Sequence, residues 1–480
     1  MNIAPFSFIG RADELSALER LHQSPGSHIV VVYGRRRIGK TALIHQAFSK
    51  AYLLSFEGLE NKGKKQQLSS FLFQLTYHAR AEQKNITINK TIKHWREAFI
   101  QLMPLVQNKK VVILLDELQW MANYRSDLIS DLKMIWEQYL SPSAEITLVL
   151  CGSIASFMEH KVVKSKALYG RTDLMLHLKA FLLSDSRCLL KKYSREDVML
   201  AQLIVGGIPK YLTLLDEQPS IAMGLDSLAF SENGFLSEEF ERIFVSHFGQ
   251  SGIYHQVITL LAKNAYGLSR MEIQDKLTLQ SGGELTRNLY NLESAGFIAS
   301  FIPFDQKSNS RTVRFLISDP FIRFYFTFLL PYKKKGIFRD NYFTNFVSTS
   351  AKFRSWLGRS FELLCLQHKE KIAQRLGFSG IEYSAGPYFQ HGKRGVLQGA
   401  QLDLVFDRAD RVLTLCEIKY RESSTGTKVI KEVEEKISRI PQFANRSLQK
   451  VLITKSEPSS ELRRSSYFSH IITADELIVE

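Results

Sequence analysis

Cysteine is scarce in this 480-residue chain, and the four present (Cys151, Cys188, Cys365 and Cys416) stand far apart, with no C-x-x-C pair and no nearby histidine couple. That spacing excludes a disulfide framework and a zinc site, and it casts all four as buried small hydrophobes. Long apolar runs are missing as well. The longest, at residues 29–33, 111–115, 146–151 and 324–330, fall far short of the roughly 20 residues that cross a bilayer, so no membrane span is expected. Residues 1–10 hold no basic stretch followed by an apolar core and a small-residue cleavage site, and the expected location is the cytoplasm. With 45% hydrophobic and 23% charged residues, the chain is neither disordered nor fibrous, and its length corresponds to about three folded domains.

What the chain has is positive charge. Its 63 Lys and Arg against 48 Asp and Glu leave a net charge of +15, which favours a polyanionic partner, nucleic acid rather than membrane. The excess is uneven, because residues 331–480 carry 25 basic against 17 acidic side chains.

The first chemistry-bearing motif follows the β-branched run HIVVVY at 28–33, which reads as a buried parallel strand. Next come Gly34, Arg35, Arg36, Arg37, Ile38, Gly39, Lys40 and Thr41, matching G-x-x-x-x-G-K-[ST]. The glycines let the backbone curl its N–H groups toward phosphate oxygens, and the helix that opens at Lys40 adds its positive end. Lys40 is expected to neutralise the β- and γ-phosphates of ATP, and Thr41 to offer its hydroxyl to Mg²⁺. A second buried run, 111–115, ends in Asp116 and Glu117. A strand tip there would place Asp116 beside Mg²⁺ and Glu117 beside an attacking water, a pairing that argues for hydrolysis. A third run, 146–151, stops at Gly152 and Ser153; Ser153 is either a structural turn or a γ-phosphate sensor. With further strands at 51–56 and 174–178 and helical patterns at 67–78 and 126–140, residues 1–180 read as a three-layer α/β domain on a parallel sheet.

Here a resemblance becomes specific. F-I-G-R-A-D-E-L at 8–15, the phosphate loop, the Asp116–Glu117 strand, L-Y-G-R at 168–171 and G-G-I-P-K-Y-L at 206–212 resemble, in order, the archaeal-type AAA-like ATPases related to the STAND regulators. The resemblance implies a P-loop ATPase core at 1–180 and a helical lid at 181–250, with 206–209 as a bend between lid helices. It also implies that Arg171 approaches the γ-phosphate, with a solvated arginine as the alternative.

From residue 253 three short helical patterns (256–263, 270–277 and 283–295), the second capped at Leu268–Ser269, precede strand-like runs at 296–304 and 312–318. This is a winged helix-turn-helix outline at 251–330. In a DNA-reading version Arg287 and Asn288 would reach outward and Lys307 and Arg311 would sit on the wing. Glu284 and Glu293 on the same helix suit a packing module instead. The stretch at 315–326, with Asp319, Pro320, Phe321, Arg323, Phe324 and Tyr325, resembles the D-P-F-x-R-F-Y link to a C-terminal domain in the same ATPases, its aromatics belonging to a core.

After a polar, basic connection at 332–345, a helix at 355–369 carries one acid, Glu362, among its apolar positions. Two strands follow, at 400–406 with Asp403 and at 412–419 with Glu417, Ile418 and Lys419. Alternation puts Glu417 and Lys419 on one face of the second strand. Asp403 and Glu417 can then share a divalent cation, with the Ile418 carbonyl as a further ligand, while Lys419 holds or deprotonates water. An exposed ion pair on a plain hairpin is the alternative. The pattern resembles the PD-(D/E)xK nucleases, through G-A-Q-L-D-L at 399–404 and C-E-I-K-Y at 416–420, with Leu402 in place of the proline. It implies an α/β restriction-endonuclease-like domain at 331–480. Lys393, Arg394, Lys431 and Lys436 are either phosphate contacts or parts of a solvated face.

The expectation is therefore an ATP- and Mg²⁺-dependent nuclease directed at DNA rather than RNA, compatible with self-association into a homo-oligomer. The alternative is a STAND-like nucleotide switch whose C-terminal domain binds nucleic acid or protein without cutting.

Overall fold

In the computed structural model, which describes residues 8–84, 89, 91–122, 127–143, 145–249, 251–280, 282–303, 312–336, 338–390, 399–443 and 446–478, the run HIVVVY forms β1 (His28–Gly34). Ile29, Val30, Val31 and Val32 are fully buried, as a strand covered on both faces must be. It is joined by β2 (Tyr52–Glu57), β3 (Lys110–Asp116), β4 (Glu145–Gly152) and β5 (Thr172–Leu178) in a sheet of order β2-β3-β4-β1-β5. All four pairings are parallel. One face packs on the Lys64–Ala81, Trp95–Ile100 and Leu128–Ile135 helices through Phe56, Phe71, Trp95, Phe99 and Leu132. Helices Ala12–Gln23 and Lys40–Ala47 pack against each other and against β5 and β1 respectively. Because every strand runs the same way, Gly34, Glu57, Asp116 and Gly152 end along one edge of the sheet, and the loops that follow them meet there.

The chain divides into two units, Met1–Ala180 and Phe181–Glu480. In the second, helices Arg195–Val205 and Pro209–Asp216 meet at the expected bend. Gly206 has φ +70°, and a Cβ on Gly207 would lie 2.0 Å from the Phe181 carbonyl oxygen, so side chains are barred from this turn. The aromatics of 321–325 are core, as expected: Tyr325 stacks on Phe240 at 4.6 Å between ring centres, and Phe321 lies 5.5 Å from Tyr211. Asp319 caps their helix, accepting from Ile322 N at 2.7 Å, with Pro320 in the first turn.

Helices Gly252–Ala262, Arg270–Lys276 and Gly283–Ser294 accompany a small antiparallel sheet of β6 (Leu268–Ser269), β7 (Ile298–Phe301) and β8 (Arg314–Ile317), order β6-β8-β7. Strand β6 was not anticipated, since two residues carry no alternation. Ser269 is the expected cap, exchanging hydrogen bonds with Glu272 at 3.2 and 2.7 Å. Of the pair expected to reach outward, Arg287 is exposed but Asn288 is buried. Its spacing from Leu285 and Leu292 places it on the packed stripe of the helix. Lys307 and Arg311 lie outside the described residues.

Parts of the polar connection at 332–345 are helical. Helix continues to Lys335, and the Asp226 carboxylate accepts from Phe343 N at 2.6 Å. Beyond it, Ser350 caps the Ala351–Gln367 helix by accepting from Phe353 N at 3.1 Å. A mixed sheet follows: β9 (Tyr383–Gln390), β10 (Ala400–Arg408), β11 (Val412–Lys419), β12 (Ser447–Thr454) and β13 (His470–Thr473), order β13-β12-β11-β10-β9. The first three strands pair antiparallel and the last three parallel, the Lys428–Ser438 helix connecting β11 to β12. Lys393 and Arg394 lie outside the described residues. Cys151, Cys365 and Cys416 are buried as expected, but Cys188 is exposed. No helix among the described residues is long and apolar enough to cross a membrane.

Candidate nucleotide and metal sites

The phosphate loop forms where β1 ends. Gly34 has φ +152°, and a Cβ there would lie 2.5 Å from the Leu178 carbonyl oxygen, so β5 can approach only because the side chain is absent. Arg35, Arg36 and Arg37 follow, Arg37 at φ +69°. Ile38 is buried and anchors the loop in the core. Gly39, at φ +90°, opens the Lys40–Ala47 helix. Lys40 is 6% exposed, and its Nζ donates to the Gly34 and Arg35 carbonyls, both at 3.1 Å. The ammonium thus sits inside the curl of the loop.

Thr41 Oγ1 donates to Asp116 Oδ2 at 2.7 Å, so the hydroxyl and carboxylate expected to share Mg²⁺ meet, and both are hard oxygen donors suited to that ion. Glu117 adopts a left-handed conformation, φ 50°, which turns the chain sharply at the strand tip. Gly58 makes room for the turn, since a Cβ there would lie 2.7 Å from the Glu117 carbonyl oxygen. Glu117 Oε2 accepts from Ser153 Oγ at 2.8 Å and from Gln119 Nε2. Gln119 also donates to Ser153 Oγ at 3.0 Å and accepts from Ser153 N at 3.2 Å. Ser153 is therefore neither a bare turn nor remote from the acids.

Sequence reasoning missed two residues of this cluster. Glu57 pairs in register with Asp116, and burial, then Asp116 and Glu117, hold its carboxyl above the usual range. Nothing local marks it, because its neighbour is set by the order of strands. Gln119 carries no charge, and its only signal was its place two residues past the acid pair.

Arg171 stands away from the phosphate loop of its own chain. Strand β5 runs parallel to β1 with Thr172 opposite Ile29 and Leu178 opposite Gly34. Arg171 precedes β5 and lies at the far edge of the sheet, about 20 Å from the phosphate loop at strand rise. Its guanidinium pairs with Glu137 at 2.5 Å. Within its own chain it does not serve the γ-phosphate, because a parallel strand begins at the edge opposite its end.

The second constellation lies on β10, β11 and two helices. Leu404 pairs with Cys416, so the next cross-strand position sets Asp403 against Glu417. Asp403 Oδ2 accepts from Ile418 N at 2.9 Å. The β10–β9 register shifts between Leu402 and Val405, a bulge of the kind that re-aims a side chain. Burial, then the Glu417 and Glu362 carboxylates, push the Asp403 carboxyl up to about 7, against the opposing pull of Lys436 and the Ile418 N–H. Glu362, on the Ala351–Gln367 helix, also takes an ion pair from Arg359 one turn earlier.

Glu417 is 3% exposed. Its Oε1 pairs with Lys419 Nζ at 2.8 Å, which places both side chains on one face, and Lys419 reaches Glu432 at 2.9 Å. Burial disfavours charge on Lys419, but Glu417 and Glu432 outweigh it and the ammonium is held more firmly than usual. Lys436 Nζ donates to both Glu417 oxygens at 2.7 Å; it is neither a free phosphate contact nor part of a solvated face. Lys431 is exposed. Asp403, Glu417 and Glu362 are carboxylates, the donor type that a hard divalent cation takes. As the side chains stand, no three acidic, histidine or cysteine groups among the described residues are close enough to hold a metal.

Residues 8–215 match the family described as an ATPase domain predominantly from Archaea. The uncharacterized protein MJECL04 of Methanocaldococcus jannaschii is 26% identical over 426 residues, covering 86% of this chain and 88% of its own, a span too wide to be confined to the matched domain. Among solved structures, the Walker-type ATPase of Pyrococcus abyssi aligns with TM-score 0.49 and 15% identity, over 66% of this chain and 96% of its own. The Aeropyrum pernix ORC2 protein, in ADPNP–ADP complexes, aligns with TM-score 0.45 and 15% identity, over 70% and 95%. The chain thus carries, across residues 8–215, an archaeal-type ATPase domain built on a five-stranded parallel P-loop sheet.

Proposed function

We propose that the chain is an ATP-hydrolysing, Mg²⁺-dependent nuclease acting on DNA, in which the ATPase domain regulates a C-terminal site of the PD-(D/E)xK type. In the first site Lys40 neutralises the β- and γ-phosphates, Thr41 and Asp116 hold Mg²⁺, and Glu117 takes the proton of the attacking water. The observation that carries the nuclease reading is the opposition of Asp403 to the buried Glu417 across β10 and β11, with Lys419 Nζ 2.8 Å from Glu417. Asp403, Glu417 and Glu362, with the Ile418 carbonyl, would hold the ion. Mg²⁺ bound there supplies a Lewis acid for the phosphodiester and acidifies its bound water. Lys419 orients that water and offsets charge on the phosphorane.

The division into ATPase core (1–180), lid (181–250), winged helix (251–330) and nuclease-like domain (331–480) belongs to the same proposal. Three helices with an antiparallel β6-β8-β7 sheet support the winged helix. DNA as substrate is supported by the net charge of +15, and the proposed location is the cytoplasm. Arg171, at the edge of the sheet away from the phosphate loop, would reach a γ-phosphate only in a neighbouring copy, and so belongs to a homo-oligomeric form.

Plasmid DNA incubated with the protein, Mg²⁺ and ATP should be nicked. Asp403→Ala and Lys419→Ala should each abolish nicking while phosphate release from ATP stays near wild type. Nicking that survives Asp403→Ala would remove the C-terminal domain as its source. A second reading, a nucleotide-dependent switch whose C-terminal domain binds nucleic acid or protein without cleaving, is favoured by the hold of Lys436 on both Glu417 oxygens. It predicts a plasmid left whole under every condition.

A further inference from the structure

Lys436 stands where a metal-bound form of the C-terminal site would need Glu417 to be open. Its Nζ is 2.7 Å from each oxygen of the Glu417 carboxylate, so one ammonium bridges the same two atoms that a divalent cation would use. The Glu417 side chain is 2% exposed and that of Lys436 24%. The acid therefore sits at the bottom of the site and the lysine comes down on it from the rim, where the Lys428–Ser438 helix nears its end. The two lysines on Glu417 are not equivalent. Lys419 is shared with Glu432 at 2.9 Å and comes from the same strand as Glu417, two residues on. Lys436 comes from a separate helix, on a flexible four-carbon stem that can carry the charge outward without moving the backbone.

We propose that Lys436 is a tethered cation that competes with divalent metal for Glu417, so that the site admits a metal ion only as this side chain withdraws. The proposal rests on the nuclease-type metal site described above. Magnesium binds carboxylate oxygens at about 2.0–2.1 Å and calcium at about 2.3–2.6 Å, and an ammonium chelating both oxygens leaves neither cation room beside it. Two positive charges at one carboxylate also repel each other strongly in a buried setting. Binding of metal is weakened by the free energy needed to break the Lys436–Glu417 pair. Once Lys436 is out, Lys419 stays on Glu417 Oε1, while Glu417 Oε2 has lost its Lys436 partner and is the oxygen a divalent ion would take.

The test is equilibrium binding of Mn²⁺, read as free ion by electron paramagnetic resonance, to the full nucleotide-free chain. Four forms are compared: wild type, Lys436→Gln, Asp403→Asn and the double variant. Lys436→Gln should bind Mn²⁺ at least about tenfold more tightly than wild type, and Asp403→Asn should remove that gain in the double variant. Binding that depends on Asp403 but is equal or weaker in Lys436→Gln overturns the competition and leaves the metal site standing. If no binding in any form depends on Asp403, the metal site itself fails. Should Lys436→Gln not fold, Lys436→Arg keeps the cation in place and must bind Mn²⁺ no more tightly than wild type; tighter binding there overturns the proposal.

Discussion

The Ser153 hydroxyl donates to Glu117 Oε2 at 2.8 Å, and the Gln119 side chain ties the two together. The base expected to take the water proton is thus aimed by two neutral donors, one from the short helix Leu118–Met121 that follows it and one from the end of β4. Glu117→Gln should bind ATP but hydrolyse it at least about a hundredfold more slowly, because the shape is kept and the base lost. Ser153→Ala and Gln119→Leu should lower kcat about tenfold with KM within about twofold, the mark of lost positioning rather than lost binding. Lys40→Ala should abolish turnover by removing the cation that faces the phosphates. Phosphate release with ATP varied, beside a fluorescent-nucleotide titration, separates these cases; wild-type turnover in Lys40→Ala would sink the assignment of the loop.

Arg171 is paired with Glu137 at 2.5 Å, at the edge of the sheet where β5 begins. Arg171→Ala should leave ADP affinity, and turnover in dilute protein, unchanged. Dilution series of both proteins provide the measurement, and a loss of turnover independent of protein concentration would contradict the placement.

At Gly207 a methyl group would lie 2.0 Å from the Phe181 carbonyl oxygen, whereas at Gly252 nothing lies within 4 Å. Gly207→Ala should cost about 3 kcal/mol, since only the backbone could give way. Gly252→Ala should be close to neutral. Thermal unfolding of the two variants side by side is the check, with Gly207→Ala expected to melt about 5–10 °C lower.

His368 is buried, its Nδ1 within 3.0 Å of the Leu364 carbonyl, and burial, followed by Lys371, holds its pKa below the usual 6.5. Folding therefore favours the neutral ring. Below about pH 6.5 the unfolded chain binds a proton that the folded chain refuses, so stability is kept above that pH and falls as the pH drops, by at most about 1.4 kcal/mol per pH unit. His368→Gln should flatten this part of the profile. Melting temperatures from pH 7.5 to 5.5 would show it, and identical slopes for both proteins would exclude His368 as a source.

Local chemistry decided much of this protein in advance. The glycines at 34 and 39, Lys40 and Thr41 make a phosphate loop wherever a buried strand precedes them and a helix follows, because backbone curvature and helix polarity are properties of a short segment. Period-two alternation alone put Glu417 and Lys419 on one face. Tertiary structure decided the neighbours. Glu57 stands beside Asp116, and Ser153 beside Glu117, because β2, β3 and β4 lie side by side. Lys436 reaches Glu417 because the helix after β11 folds back over it, and Arg171 is carried away from the phosphates because β5 runs parallel to β1. Each of these turns on strand order, strand direction or the path of a crossover, which are settled by how apolar faces from distant segments are buried together and so leave no trace in the spacing of nearby residues.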